Sequence, residues 1–128
     1  RSNGVIYRTP LDKHGEPQSR EVFRRFNAGE GIPDGAAIDE EGCYWSAMFD
    51  GWRIARFSPT GEQLAEYRLP VRCPTMVCFG GADRRTLFIT TTRENMSAAE
   101  VAQYPLSGAI FTLPVEVAGM KKLSFIER

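Results

Sequence analysis

Turn-forming residues interrupt this chain at short and regular intervals, and the stretches between them are rich in strand formers. Combinations of Gly, Pro, Asp and Ser indicate turns at residues 12–15, 40–42, 58–61 and 80–81. Turns that recur every eight to twelve residues between short apolar runs are typical of an all-β sandwich, barrel or propeller. The chain is therefore predicted to be all-β.

The runs between these turns predict a succession of strands. Residues 86–92 are built almost wholly of strand formers and give the clearest of them. Ser97, followed by helix-forming residues, predicts one short helix that ends near Gln103. The remaining strands are predicted at residues 5–8, 21–26, 36–39, 43–48, 52–57, 63–69, 73–79, 108–113 and 122–126.

A longer regularity favours the propeller. Residues 33–70 contain four strands in hairpin order, and residues 74–113 repeat that order with an insertion. Repeats of about 40 residues with four strands each are the pattern of propeller blades. We therefore predict a single domain, a partial β-propeller of about two and a half to three four-stranded blades, whose exposed edges have to pair with something. The predicted divisions are 1–31 for the end of one blade, 32–70 for the second and 71–128 for the third.

The composition excludes several classes of partner. The chain has 128 residues, of which 42% are hydrophobic and 25% are charged, as expected for one folded domain. Lys+Arg and Asp+Glu both number 16, which argues against a nucleic-acid or anionic-membrane partner because both need a basic surplus. The sequence contains neither a run of about 18 apolar residues that would span a membrane nor a signal-peptide pattern at its start. It begins with Arg1 instead of Met, which suggests a trimmed chain or a fragment.

The cysteine and histidine content argues against several kinds of structural and catalytic site. The three cysteines are Cys43, Cys73 and Cys78, and without a Cys-x-x-Cys pair they fit neither a disulfide framework nor a zinc ribbon. We predict buried free thiols in a reducing cytoplasm. The one histidine, His14, lies in a predicted exposed turn, which excludes a mechanism that needs two histidines and argues against a His-based triad.

The segment at residues 31–45 carries the candidate chemistry. Its Pro33-Asp34-Gly35 sequence predicts a turn. Two interpretations of Asp34 stay open on these residues alone. Asp34 serves the turn itself, or it is a carboxylate held at the mouth of a strand, ready to bind a metal ion or to activate water.

A larger set of residues, in order and spacing over roughly residues 5–120, carries a family resemblance. These residues are Ile32-Pro33-Asp34-Gly35, Ile38-Asp39, Gly42, Trp45-Ser46-Ala47, Gly51, Arg53-Ile54, Arg56, Pro59, Gly61, Leu69-Pro70-Val71, Thr75, Cys78-Phe79-Gly80-Gly81, Leu87, Thr90, Gly108 and Ile110-Phe111. The chain resembles the C-terminal part of the SMP-30/gluconolactonase/LRE family. The resemblance implies a six-bladed β-propeller that hydrolyses sugar lactones to aldonic acids with one divalent metal ion in its central channel.

The resemblance also implies a role for Asp34. In the family, the Asp of the Pro-Asp-Gly sequence is a metal ligand and the base for the attacking water, so Asp34 is the candidate for both roles here. The expected ion is Ca²⁺ or Zn²⁺. A carboxylate is a hard oxygen ligand, and an ion that polarises the lactone carbonyl and acidifies water removes the need for a Ser nucleophile or a His base. Thr75 and Met48 are weaker candidates for the substrate channel, with a turn hydroxyl and a core side chain as their respective alternatives.

The chain departs from the family pattern in its ligand set. The family's other metal ligands, a Glu near the N-terminus and an Asn in the preceding blade, would lie before residue 1. Asn3 is followed by Gly4, as the family Asn is followed by Gly, but it is too close to Asp34 in sequence and leads directly into the strand at residues 5–8. We therefore do not assign Asn3 as a ligand. We expect the isolated chain to bind metal poorly, which puts its own activity in doubt.

Two functions follow. The first is a cytoplasmic lactone hydrolase of the gluconolactonase type, or the C-terminal fragment of one, that acts on a small-molecule sugar lactone. The second is a non-catalytic half-propeller that binds or self-assembles, in which two copies pair their edges into a homodimeric six-bladed ring.

Overall fold

A computed structural model describes residues 4–123 and contains nine strands and one short helix over that range. The elements are β1 (Val5–Arg8), β2 (Glu21–Arg25), β3 (Ile32–Ile38), β4 (Tyr44–Phe49), β5 (Arg53–Phe57), β6 (Gln63–Arg68), β7 (Pro74–Gly80), β8 (Thr86–Thr91), α1 (Ala98–Gln103) and β9 (Phe111–Pro114). The predicted all-β class and the predicted short helix are confirmed. Ser97 caps the helix, as predicted, because its side chain accepts a hydrogen bond from the Glu100 amide at 3.1 Å.

The strands form three antiparallel sheets that follow one another along the chain. The first sheet pairs β1 with β2, the second has the order β3-β4-β5-β6, and the third has the order β7-β8-β9. Within each sheet, consecutive strands are neighbours because each connection between them is a hairpin, although the β8–β9 connection carries α1 as an insertion. Strands β3 and β7 are therefore the edge strands with which the second and third sheets begin.

The second sheet is buried on both of its faces. Successive side chains of a strand point to opposite faces, and in β4 both sets are covered. Trp45 and Ala47 belong to a core cluster with residues of the third sheet, among them Val77 and Leu87. Met48 belongs to a second cluster, which reaches toward the first sheet and consists of Ile6, Phe26, Met48, Ala55 and Phe57. The three sheets are thus stacked face to face, with the four-stranded sheet in the middle.

A buried carboxylate holds the turn between β3 and β4. Asp39 is fully buried and accepts hydrogen bonds from the Trp45 indole at 2.8 Å and from Arg56 Nε at 2.9 Å. Its other oxygen accepts from the backbone amides of Glu41 and Cys43 at 2.9 and 3.0 Å. Burial alone would raise the pKa of Asp39, but the hydrogen bonds from Trp45, Cys43 and Arg56 outweigh it and lower that pKa.

The C-terminal part of the described chain packs against the end of the second sheet at which β3 ends and β4 begins. The Glu40 amide donates to the Ala118 carbonyl at 2.9 Å, and the Met120 amide donates to the Ile38 carbonyl at 3.0 Å. Asp39 and Gly119 form an isolated antiparallel bridge. These contacts fasten the segment that follows β9 to the turn that follows β3.

The structure corrects three local predictions. Residues 33–35 are not a turn but lie inside β3. The last strand of the third sheet, β9, begins at Phe111, three residues later than predicted. Lys122 and Leu123 are not in a strand, and the rest of the strand predicted at residues 122–126 lies outside the described residues, as does Asn3.

Within residues 4–123 no helix has the length and apolar character needed to cross a membrane.

Candidate functional site

The register of the strands brings several loops to one end of the sheets, which we call the mouth end. Ile32, which begins β3, pairs with Phe49, which ends β4, and Pro74, which begins β7, pairs with Thr91, which ends β8. The connections at residues 50–52, 69–73 and 92–110 therefore all lie at this end. The hairpin turns at residues 39–43 and 81–85 lie at the opposite end.

Asp34 lies near the mouth end, on an irregular part of β3. The register of β3 with β4 shifts between Pro33, which pairs with Met48, and Ala36, which pairs with Ser46. Three steps along β3 match two steps along β4, so β3 contains one extra residue at this point. A bulge of this kind re-aims side chains out of the regular alternation, and such bulges occur often beside active sites.

Close backbone contacts fix the chain on both sides of Asp34. On one side, a Cβ on Gly4 would lie 2.4 Å from Pro33 Cδ, so the chain entering β1 touches the proline ring. On the other side, a Cβ on Gly35 would lie 2.7 Å from the Thr75 carbonyl oxygen and 2.8 Å from Met76 Cα. Because neither position has room for a side chain, Asp34 is held where the beginnings of all three sheets converge.

The Asp34 carboxylate itself is exposed. Among residues 4–123 no hydrogen bond or ion pair engages it. The same residues contain no group of three or more His, Cys, Asp or Glu side chains that could hold a metal ion. Asp34 thus presents a single carboxylate on a closely packed stretch of backbone, whereas a Ca²⁺ ion takes six to eight oxygens. Residues 4–123 therefore do not contain the full set of ligands that such an ion requires.

The two weaker candidates have different surroundings. Thr75 lies in β7, is half-buried, and its hydroxyl lies 2.8 Å from the hydroxyl of Thr90 on β8. It is also the residue whose carbonyl oxygen touches Gly35. Met48 has no exposed surface and packs in the cluster around Phe26 and Phe57, so it takes the core position that was its alternative and does not line an open channel in this structure.

An apolar groove runs away from Asp34 between β3 and β7. Its volume is about 650 Å³, and Ala36, Ile38, Met76 and Cys78 contribute to its walls. Met76 is 47% exposed and Cys78 is exposed, although the intervening Val77 is buried in the core. The face of β3 and β7 that carries the groove is therefore left open by residues 4–123.

The sequence analysis did not predict a charged cluster that the structure places at the mouth end. We call it the Arg72 cluster and define it as Asp50, Arg72, Asn95 and Glu100. Arg72 forms a bidentate pair with Glu100, with Nε–Oε2 at 2.7 Å and Nη2–Oε1 at 3.0 Å. It also contacts the Asp50 carboxylate, and its Nη2 donates to the Asn95 carbonyl oxygen at 3.4 Å. The hydrogen bonds to Glu100 raise the pKa of Arg72 above its ordinary value, against the effect of burial. No spacing signal was available because the partners lie 22 to 28 residues apart in sequence.

His14 lies in the exposed turn between β1 and β2, as predicted. The three cysteines are free thiols, as predicted, and Cys43 and Cys73 are buried. The predicted burial is wrong for Cys78, which is exposed because its side chain lies on the open face of β7.

Comparison with known proteins places these features in a family. A sequence model of the SMP-30/Gluconolactonase/LRE-like region matches residues 2–93, well over half of the chain. The chain belongs to this family.

Individual members of the SMP-30/gluconolactonase/LRE-like family agree with that assignment. The chain is 57% identical over 118 residues to a 6-deoxy-6-sulfogluconolactonase of Pseudomonas putida, which covers 91% of the chain and 40% of the relative. It is 35% identical over 102 residues to regucalcin of Xenopus laevis, covering 79% of the chain and 34% of that protein.

The structural comparison points the same way. The crystal structure of regucalcin, a calcium-binding protein from Agrobacterium tumefaciens, superimposes with a TM-score of 0.85 and 31% identity over 91% of this chain and 40% of that one. The chain thus spans between 34% and 40% of the length of these three proteins.

Proposed function

We propose that this family member serves the hydrolysis of a sugar lactone and that Asp34 provides the carboxylate at the reacting centre. The observation that carries the proposal is the exposed Asp34 carboxylate on a bulge of β3, between two backbone contacts that leave no room for a side chain. Structural turn aspartates are usually engaged by the amides of their own turn, as Asp39 and Asp83 are here. Asp34 has no such role among residues 4–123.

The substrate class is supported by the relatives. The Pseudomonas putida protein with 57% identity is named as a lactonase for a 6-deoxy-6-sulfo sugar. We propose a sugar lactone as the substrate of this chain as well. In hydrolysis, water adds to the lactone carbonyl carbon, the ring C–O bond breaks, the ring oxygen receives a proton, and an aldonic acid results.

We assign Asp34 two tasks in this reaction. Its carboxylate binds a divalent cation, Ca²⁺ or Zn²⁺, and accepts the proton of the attacking water. The remaining oxygen ligands of the ion come from outside residues 4–123, in agreement with the larger size of the relatives. A bound divalent ion would polarise the carbonyl of the lactone. The backbone contacts of Pro33 and Gly35 orient the Asp34 carboxylate, because they fix the peptides on both sides of it.

We further propose that the three sheets are consecutive blades of a six-bladed β-propeller. The second sheet has the four strands of a complete blade, whereas the first has two and the third has three within residues 4–123. In this arrangement β3 and β7 are the innermost strands, and the Asp34 side chain faces the axial channel. The high TM-score to the Agrobacterium tumefaciens regucalcin supports the arrangement.

The test of the proposed reaction compares two exposed aspartates. Asp34→Asn removes the charge of the candidate ligand and base, whereas Asp83→Asn makes the same change in a turn at the opposite end of β7. We expect Asp34→Asn to lower the hydrolysis rate of a sugar lactone by a factor on the order of 10²–10⁴, the usual contribution of a general base, and Asp83→Asn to leave it unchanged. The measurement is acid release from D-glucono-1,5-lactone after chelation and after addition of Ca²⁺ or Zn²⁺. If Asp34→Asn hydrolyses the lactone at the same rate as the unmodified chain, Asp34 is not part of the site.

The second candidate function is a non-catalytic module that self-assembles. The three-stranded third sheet and the open groove between β3 and β7 favour it, because both leave an edge or face uncovered by residues 4–123. Two copies would then complete one ring. Size-exclusion chromatography with light scattering distinguishes the two candidates: a stable dimer without lactone hydrolysis supports the module, and a monomer excludes it.

A further inference from the structure

The Arg72 cluster lies close to Asp34 on two sides. Asp50 is two residues beyond Met48, which pairs with Pro33, the neighbour of Asp34. Arg72 is three residues before Thr75, whose carbonyl oxygen touches the position of a Cβ on Gly35. Because an extended chain advances at most about 3.6 Å per residue, the backbones of Asp50 and Arg72 each lie within about 11 Å of a residue in contact with a neighbour of Asp34.

The cluster connects this region to the inserted helix. Arg72 contacts Asp50 in the turn that follows β4. It also forms the bidentate pair with Glu100 of α1, so it links the turn to the helix. A second contact links the same two segments, because the rings of Trp52 and Tyr104 pack edge to face with their centroids 4.7 Å apart. The helix is therefore joined at the mouth end to the β4–β5 turn and to the connection between β6 and β7.

Helix α1 depends on these contacts more than on hydrophobic burial. None of its residues is buried, so it has no apolar face in the core. A helix of six residues is too short to be stable by itself. The bidentate ion pair of Glu100 and the aromatic contact of Tyr104 are thus the tertiary contacts that fix it in place.

The backbone in and next to the Arg72 cluster has several residues with a positive φ angle. Within residues 4–123 only four residues other than glycine have a positive φ, and three of them are Asp50, Trp52 and Asn95, with φ of 61°, 60° and 62°. This conformation is unfavourable for a bulky residue such as Trp. Backbone strain that collects in one place and is held by surrounding contacts is a common property of ligand-binding regions.

We infer that Arg72 is a positioning residue and that the α1 segment it holds forms a wall of the lactone site. The inference rests on the proposed function and extends it to specificity. Since Asp34 marks the reacting carbonyl and α1 is fastened to loops at the same end of the sheets, the wall contacts the part of the sugar distant from that carbonyl. Displacement of α1 then weakens substrate binding and leaves the chemical step nearly intact.

The first experiment uses hydrogen exchange of the α1 amides with D-gluconate, the aldonate that the simplest such hydrolysis releases. We expect gluconate, in the presence of Ca²⁺, to slow exchange both around Asp34 and in α1. If exchange slows around Asp34 but is unchanged in α1, the inference that α1 forms a wall of the site is wrong. The proposed function is not contradicted by that result. Unchanged exchange in both regions contradicts the proposed function as well.

The second experiment separates positioning from a general loss of stability. Glu100→Gln removes the charge that pairs with Arg72, and Glu40→Gln is its control, because Glu40 pairs with Arg84 at 2.8 Å at the opposite end of the sheets. We expect Glu100→Gln to accelerate exchange of the α1 amides and to raise KM about tenfold or more while kcat changes little, and Glu40→Gln to do neither. Arg72→Lys keeps the charge but cannot form the bidentate pair. Its α1 exchange rate and its KM should lie between those of the unmodified chain and those of Glu100→Gln. An increase in α1 exchange with unchanged KM overturns the inference.

Discussion

Gly35 and Met76 are so close that a Cβ at position 35 would lie 2.8 Å from the Met76 Cα atom. The contact joins the edge strands of two sheets next to the candidate carboxylate. It exists only because residue 35 has no side chain, and the position of Asp34 depends on it.

Gly35→Ala should therefore separate β3 from β7. The new methyl group meets backbone atoms of Thr75 and Met76, which cannot rotate away, and we expect a loss of about 1–3 kcal/mol in the free energy of unfolding together with weakened metal binding. Gly80→Ala is the control, because the atoms nearest to its methyl group belong to the ring of Phe88, a 37% exposed side chain that can move. Urea unfolding and calorimetric Ca²⁺ titration measure the two effects. Equal losses in the two variants would contradict the proposed strand contact.

Asp34→Asn should separate function from stability. An exposed carboxylate with no partner among residues 4–123 contributes little to folding, so the free energy of unfolding should change by no more than about 0.5 kcal/mol. Metal affinity should fall in the same variant. Thermal unfolding with and without Ca²⁺ tests both points: the ion should raise the midpoint for the unmodified chain and not for Asp34→Asn. A large loss of stability without metal would show that Asp34 is a structural residue.

Asp39→Asn should destabilise the chain strongly at neutral pH. The substitution removes the charge that pairs with Arg56 inside the protein, and breaking a buried pair of this kind costs about 3–5 kcal/mol. Asp83→Asn, in an exposed turn, is the control.

The pH dependence follows from the lowered pKa of Asp39. Because its folded-state pKa lies below the ordinary value of 3.8, the carboxylate contributes its stability above pH 3.8 and loses it as the pH falls through the folded-state pKa. The difference in unfolding free energy between the unmodified chain and Asp39→Asn should therefore be constant from pH 7 to about pH 5 and shrink below pH 3.8. A difference that grows on acidification would contradict this assignment.

The three thiols should react at different rates. Burial raises the pKa of both Cys43 and Cys73, which keeps them protonated and unreactive at neutral pH, whereas Cys78 is exposed in the groove between β3 and β7. Ellman's reagent should titrate one thiol rapidly in the folded chain and three in denaturant. Cys78→Ser should abolish the rapid phase; if that phase remains, another cysteine is accessible.

Strand positions followed from local sequence because each strand has its own composition and turn signals. The stretch around Leu87 and Ile89 alternates between buried and exposed positions, and it forms β8 as predicted. The cap at Ser97 is an equally local signal. Residues 33–35 were wrongly predicted as a turn because Pro, Asp and Gly favour turns, while the contacts of Pro33 with Gly4 and of Gly35 with β7 keep them inside a bulged strand.

The candidate site divides in the same way. Asp34 became a candidate from the sequence because a short motif surrounds it, whereas Arg72 did not, since its partners Asp50 and Glu100 are brought to it only by the folded chain. Met48 was a weak candidate for the channel in the sequence, with a core position as its alternative. Its burial was decided by which face of β4 meets the first sheet.

By itself, the sequence determined the all-β class, the succession of hairpins, the helix cap and the carboxylate at position 34, because each depends on residues within a few positions of one another. Only the tertiary structure decided that β3 and β7 touch through Gly35, that Arg72 ties α1 to the mouth end, and that Met48 is enclosed. Those features depend on packing between sheets, where side chains far apart in the chain compete for the same space.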